Sequence, residues 1–271
     1  MALIFSSLVH SVSEMRNDAF YRKIDRNGIA SVVGSDPFAL YGFQTDEASL
    51  VGSYNEGSSG VLGNMAWDNI ALRSGDGWYV APQIGGAQGF GMVNDGGASG
   101  YYGSVVSHSG NTVNGLENMT VTAVFKADNA GEGGAGTIIS KGNGYRLRFS
   151  AANTIIFEVW DGAAWRGSDT GANVVYDYWH VLHCVYDGTQ AAANRIKMYL
   201  NGIDVTVAGA NIPATITDDG NILYILDNAG NTAGWDGVLG CLATIPGHSY
   251  TQAQAQAEVE LRGLFQPTVA N

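Results

Sequence analysis

The chain has 271 residues and a formal net charge of −12; 14% of its residues are charged, 45% are hydrophobic and 38 are glycine. The apolar content excludes a disordered chain, the glycines lack the three-residue period of collagen, and no apolar run reaches the ~18 residues that a membrane-crossing helix needs. An acidic surface repels phosphate, so neither nucleic-acid binding nor membrane insertion is expected; the class left is a soluble globular protein with many tight turns.

Charge and glycine are unevenly spread. Residues 1–30 hold Arg16, Arg22, Lys23 and Arg26 against Glu14, Asp18 and Asp25, and only one glycine; the remainder carries a charge of −13 and the other 37 glycines. This contrast divides the chain into an N-terminal arm, 1–39, and a body, 40–271. In the arm Ile4, Leu8, Val12, Met15 and Ala19 recur at helical spacing. Ser11 and Glu14 have the spacing of a capping box, and Asn27-Gly28 is a stop signal. The pattern predicts an amphipathic helix from about Ser11 to Arg26. Its stripe packs either on the body or on a neighbouring subunit or another protein, which makes those five residues candidate partner-binding positions. The first residues lack the basic and sustained apolar regions of a secretory signal. Two cysteines are too few for a disulfide framework; Cys184 and Cys241 lie in apolar segments and read as buried free thiols.

From about Leu40 the pattern changes to short strands and turns. Trp78–Ala81 reads as an early strand, and 85–103 is too rich in turn residues for a helix. Met119–Phe125 alternates and is β-branched, which predicts a strand. Further strands follow at Thr137–Ser140, Tyr145–Phe149, Thr154–Trp160, Trp179–Tyr186, Ile196–Leu200, Ile203–Val207, Asn221–Leu226 and Val238–Ile245. Asp161-Gly162 and Asn201-Gly202 are hairpin signals. Tyr250–Phe265 is the clear helix of the body. Many short strands at this spacing predict an all-β sandwich rather than a parallel α/β sheet.

The ordered series MTVTAVFKA, GTIISKGNGYRLRF, IIFEVW, YWHVLHCVYDG, RIKMYLNGIDV and GWDGVLGCLATI, ahead of a short helix, resembles the laminin-G-like jelly roll of the concanavalin A-like lectin/glucanase superfamily. Trp179-His180 leading into Val185-Tyr186-Asp187-Gly188, then Tyr199-Leu200-Asn201-Gly202, is its most specific part. The resemblance covers about residues 117–265. It implies a two-sheet antiparallel jelly-roll sandwich of about six or seven strands per sheet. It does not fix function, because the superfamily includes lectins, adhesion modules, enzyme accessory domains and virion proteins. The chain departs from the pattern at His183, where a small apolar residue is usual.

Catalytic groups are not evident. Glycosidases of this superfamily alternate acids along one strand, as in E-x-D-x-x-E, whereas Glu158 and Asp161 are three apart and face apart on a strand. Glu258 and Glu260 fall on the predicted helix. His180 and His183 give H-x-x-H on a strand, so they too face apart. Gly131–Gly136 matches G-x-G-x-x-G, but a strand follows where the dinucleotide motif needs a helix. No cofactor is expected, although calcium is compatible with oxygen ligands from Asp218, Asp219, Asp227, Asn228 or Asp236, with Asp227 and Asp236 as the candidate metal residues. Of the aromatic residues, Trp165 and Trp235, in segments rich in glycine and aspartate, are the candidates for exposed sugar-stacking faces.

Two functions follow. The first is a non-enzymatic structural protein of a particle, a bacteriophage virion decoration or tail component, synthesised in the host cytoplasm. It would be anchored by its arm to other virion or capsid proteins and would form homo-oligomers. The second is a glycan-binding, lectin-like adhesion module acting extracellularly or on such a particle, with surface glycans as partners.

Overall fold

The computed structural model describes residues 39–42, 66–68, 79–82, 88–95, 102–105, 113–151, 153–228, 230 and 232–261. The arm helix and its stripe, Ile4, Leu8, Val12, Met15 and Ala19, lie outside the described residues. In chain order the strands are β1 (Ala39–Gly42), β2 (Ala66–Asp68), β3 (Tyr79–Pro82), β4 (Gln88–Asp95), β5 (Tyr102–Val105), β6 (Asn118–Ala127), β7 (Thr137–Lys141), β8 (Tyr145–Ala151), β9 (Thr154–Trp160), β10 (Trp165–Asp169), β11 (Trp179–Asp187), β12 (Ile196–Leu200), β13 (Ile203–Asp204), β14 (Leu223–Ile225) and β15 (Asp236–Pro246); the helix α1 is Gln252–Leu261.

These strands build two antiparallel sheets. One has eight strands in the order β13-β12-β11-β6-β15-β4-β3, with β1 added to β15; the other has seven, in the order β10-β9-β8-β7-β14-β5-β2. The all-β, two-sheet architecture with a C-terminal helix is the one the sequence predicts. Strand β4 runs through the glycine-dense stretch judged too rich in turn residues for a helix, held by pairing to both β3 and β15. Strand β13 stops at Asp204, short of Val207, because the Asp204 carboxylate accepts from the Thr206 N–H at 3.0 Å and its hydroxyl at 2.5 Å and turns the chain.

Alternation drives the core. On β8 Tyr145, Leu147 and Phe149 point inward, and on β9 Ile155, Phe157 and Val159 do the same; they meet Met119, Val121, Ala123 and Phe125 of β6 and Leu182, Cys184 and Tyr186 of β11. Trp235 is fully buried in this layer. It stacks on Phe149 (5.5 Å, 17°) from the seven-stranded sheet and meets Phe125 edge-on (5.6 Å, 89°) from the eight-stranded sheet.

The eight-stranded sheet is covered on its outer side as well. Val124, Val181, Val185, Tyr199, Cys241, Ala243 and Ile245 form a second apolar layer with Tyr250 and with Ala255 and Val259 of α1. Both sides of β11 and β15 are therefore buried, and neither strand shows simple alternation. A bulge between Leu239 and Cys241 resets which side faces inward. Cys184 lies in the inter-sheet layer and Cys241 in the outer one; both are free thiols. Helix α1 begins with a reciprocal cap: the Thr251 N–H donates to Gln254 Oε1 (2.9 Å) and the Gln254 N–H to Thr251 Oγ1 (3.3 Å).

His183 departs from the family pattern because its side chain points away from the inter-sheet core into the α1 interface. It is fully buried there, stacks on Tyr250 (5.2 Å, 28°), and sets Nε2 2.9 Å from Glu258 Oε2.

Candidate functional site

The outer side of the seven-stranded sheet carries a group of polar and aromatic side chains at β8, β9 and β10. Its placement follows from register. Arg146 pairs with Glu158 and Arg148 with Ile156 across β8–β9; Gly167 pairs with Glu158 and Trp165 with Trp160 across β9–β10. Arg146, Arg148, Glu158, Trp160 and Trp165 therefore share one side, opposite the inward Leu147, Phe157 and Val159.

Glu158 is the centre of the group. Its Oε2 accepts from Arg146 Nε at 2.6 Å and from Arg148 Nε at 2.9 Å, and its side chain is only 8% exposed. It can lie this low because β10 has glycine opposite it: a Cβ on Gly167 would stand 2.6 Å from Glu158 Cγ. The Arg146 guanidinium also lies over the Trp165 ring, 4.2 Å from its centroid, a cation–π contact that fixes the plane of both groups. Trp160 and Trp165 meet edge to face at 5.3 Å, the cross-strand aromatic pair that closes the β9–β10 hairpin.

The hairpin turn is built by Asp161. Its Oδ1 accepts from the Ala163 and Ala164 N–H groups (2.7 and 2.6 Å) and its Oδ2 from Arg166 Nε (2.7 Å). The Arg166 hydrogen bond, then those of Ala164 and Ala163, hold this carboxyl down at about 2, against 3.8 ordinarily. A depressed value stabilises the fold above the unfolded pKa, and that stability is lost as pH falls through the folded one. Asp161→Asn is therefore expected to lower the urea midpoint at pH 7, with the gap from the wild type closing between about pH 4 and pH 2. A gap constant across that window would show that the charge does not hold the turn.

Residues 97–253 match the laminin-G-type family described as the concanavalin A-like lectin/glucanases superfamily. The chain belongs to this superfamily. No curated protein sequence matches it. Among solved structures with this jelly roll, it resembles domain 4 of AbnA, a GH43 extracellular arabinanase from Geobacillus stearothermophilus in complex with arabinotriose. The identity is 16% and the TM-score 0.54, covering 82% of this chain and 98% of that one. It also resembles the binding domain of Paraclostridial Mosquitocidal Protein 1, with 9% identity, TM-score 0.56, and 82% and 52% of the two chains covered. A third similar structure is the botulinum neurotoxin type C chain whose cell entry depends on interaction with two ganglioside molecules, with 9% identity, TM-score 0.56, and 86% and 53% covered. The chain spans about half the length of the two toxin structures.

Within this jelly roll the residues singled out from sequence fall in different places. Trp165 lies on the outer side of β10, half-buried, with the Arg146 guanidinium over its ring. Trp235, against expectation, is fully buried between Phe125 and Phe149, so it offers no sugar-stacking face, and the flanking glycine and aspartate mark the entry to β15 rather than an exposed loop. Asp227 Oδ1 accepts from the Asn228 and Ala233 N–H groups (2.7 and 3.0 Å), and burial pushes its pKa up. Asp236 accepts from the Asn129 amide. Asp218 pairs with buried Lys141 at 3.2 Å, and Asp219 accepts from the Asn221 backbone at 3.0 Å. The calcium candidates thus serve turns and loops, and among the described residues no three His, Cys, Asp or Glu gather as a metal site.

His180 and His183 face apart, as expected on a strand: His180 turns inward, 2.8 Å from the Val175 carbonyl, and burial pushes its pKa down. Glu158 and Asp161 have separate arginine partners and do not form an acid pair. Gly131–Gly136 is a connection ahead of β7 with a short 3-10 turn at Glu132–Gly134, not the start of an α-helix. A Cβ on Gly131 would stand 2.6 Å from both Gly136 Cα and the Gly234 carbonyl, so the glycines serve a close backbone crossing.

Arg146, Arg148 and the role of Glu158 were missed from sequence. The available signal was the alternation in Tyr145-Arg146-Leu147-Arg148-Phe149, which puts two arginines on the outer side of one strand.

Proposed function

We propose that this chain is a non-enzymatic glycan-binding module, with the outer side of β8, β9 and β10 as its sugar-binding surface. The observation that carries this reading is the partly exposed Trp160–Trp165 pair, held in place by Arg146 on a rigid sheet. A flat indole beside oriented hydrogen-bond donors matches the two sides of a sugar ring, apolar C–H faces and polar hydroxyls. The fold supports it, since the similar arabinanase domain holds arabinotriose and the similar neurotoxin interacts with gangliosides.

The test is a broad glycan array with the intact protein and the Trp165→Ala variant. Binding by the wild type, weakened about tenfold or more in the variant, is the expected result. No binding across the array, or equal binding by the two proteins, would count against this surface.

A second reading places the same module on a particle, as a virion decoration or tail component anchored by the arm. It is supported by the contrast between the slightly basic, glycine-poor first thirty residues and the acidic body. Deleting residues 1–30 is then expected to abolish particle or oligomer association in sedimentation while leaving glycan binding intact. Unchanged association removes this reading.

A further inference from the structure

We propose that the glycans recognised at this surface are acidic, and that Arg146 and Arg148 form a two-guanidinium receptor for a sugar carboxylate or sulfate with Glu158 as its positioning residue. This rests on the glycan-binding reading above and names the ligand class.

Glu158 serves both arginines through a single oxygen, and each arginine offers it only Nε. Arg148 spends Nη1 on the Phe149 carbonyl at 3.0 Å. Among the described residues both Nη groups of Arg146 and Nη2 of Arg148 make no hydrogen bond, yet the two side chains are 26% and 24% exposed. These Nη donors, which Glu158 does not use, remain available to a ligand. Here one carboxylate is shared by two cations, so the group Arg146, Arg148 and Glu158 is itself net positive on a chain whose total is −12.

The guanidinium planes are also fixed in advance. Trp165 lies under Arg146, and the nearly buried Glu158 holds both Nε atoms from below. Arginine donors preset in this way suit a planar or tetrahedral oxyanion that accepts two parallel bonds, as carboxylate and sulfate do. The Trp160–Trp165 pair beside them supplies the apolar face that an isolated anion would not need. Of the other charges on this side, Asp161 is paired with Arg166; Asp169, two strands from Arg148, accepts from the neutral Gly171 N–H at 2.7 Å and keeps its charge at that distance from the two arginines.

The experiment measures binding of the intact protein to two matched polymer pairs, polygalacturonate against its methyl ester and dextran sulfate against dextran. The variants are Arg146→Lys, Arg148→Lys, Glu158→Gln and Trp165→Ala, each checked for a native circular-dichroism spectrum. The wild type is expected to prefer at least one acidic polymer over its neutral partner by about tenfold or more, and the pair showing the preference distinguishes carboxylate from sulfate. Arg146→Lys and Arg148→Lys keep the charge but remove the fork, and are each expected to lose most of that preference. Where one of them fails to fold, the other serves.

Glu158→Gln is the sharpest arm. Simple net charge predicts tighter anion binding when the acid is removed; a positioning role predicts weaker binding. Tighter binding, or a preference intact in both lysine variants, overturns the proposal. Equal binding of acidic and neutral polymers that is lost in Trp165→Ala overturns it too while the glycan-binding reading stands, and no binding to any polymer overturns both.

Discussion

Replacing Trp235 with alanine is expected to destabilise the protein by about 3–5 kcal/mol, measured as the shift in urea-unfolding free energy. The indole is fully buried and bridges the two sheets through Phe125 on β6 and Phe149 on β8. Truncation leaves a cavity at the junction that neither ring can fill without leaving its own sheet. Trp235→Phe is expected to cost less, because a ring still spans the gap. It also removes the indole Nε1, a buried donor with no hydrogen-bond partner among the described residues, so part of the loss in packing is offset. A cost for Trp235→Ala below about 1 kcal/mol would place the residue outside the cooperative core.

The second large effect is expected at Glu258. Its Oε2 lies 2.9 Å from His183 Nε2 and 3.2 Å from the Tyr250 hydroxyl, and both His183 and Glu258 are fully buried under α1. His183 Nδ1 and the hydroxyl of Thr122, the residue opposite His183 across β6–β11, have no hydrogen-bond partner among the described residues. Glu258→Ala removes the buried carboxyl that both His183 and Tyr250 meet and is expected to cost about 3–5 kcal/mol. The double variant His183→Leu/Glu258→Leu removes polar groups on both sides of the interface and is expected to cost clearly less than Glu258→Ala alone, as a double-mutant cycle would report. Neither change touches the opposite sheet, so binding at Trp165 serves as the control for a folded molecule.

How much was legible in the sequence depended on how many sides of a strand are covered. Strand β9 was found with its true bounds because Ile155, Phe157 and Val159 face the core while Glu158 and Trp160 do not. The extents of β11 and β15 were close, but their facing was not readable. α1 buries the outer side as the partner sheet buries the inner, and the bulge before Cys241 shifts the count. That double burial also explains His183, whose hydrogen-bond partner Glu258 comes from a helix 75 residues on.

Trp235 was misread because its immediate neighbours, Gly234 and Asp236, look like a turn, whereas its burial comes from rings more than 80 positions away in sequence. The candidate site failed for a related reason. Arg146, Glu158 and Trp165 come from three strands, and what joins them is cross-strand register, which the spacing of residues along the chain does not reveal.

The place of β1 gives the molecule a direction. Ala39–Gly42 joins the sheet that carries α1, pairing Ala39 with Thr244 and Gly42 with Cys241. Residue 39 therefore lies in the layer opposite the sheet that carries Arg146 and Trp165. If residues 1–30 serve as the anchor proposed above, a tether attached at this layer would leave the proposed sugar-binding surface on the other sheet, and many copies held on one support would present it in a common orientation. Single sugar contacts are weak, but such an array would raise the effective concentration of sites around a bound chain and convert modest individual affinities into avid attachment.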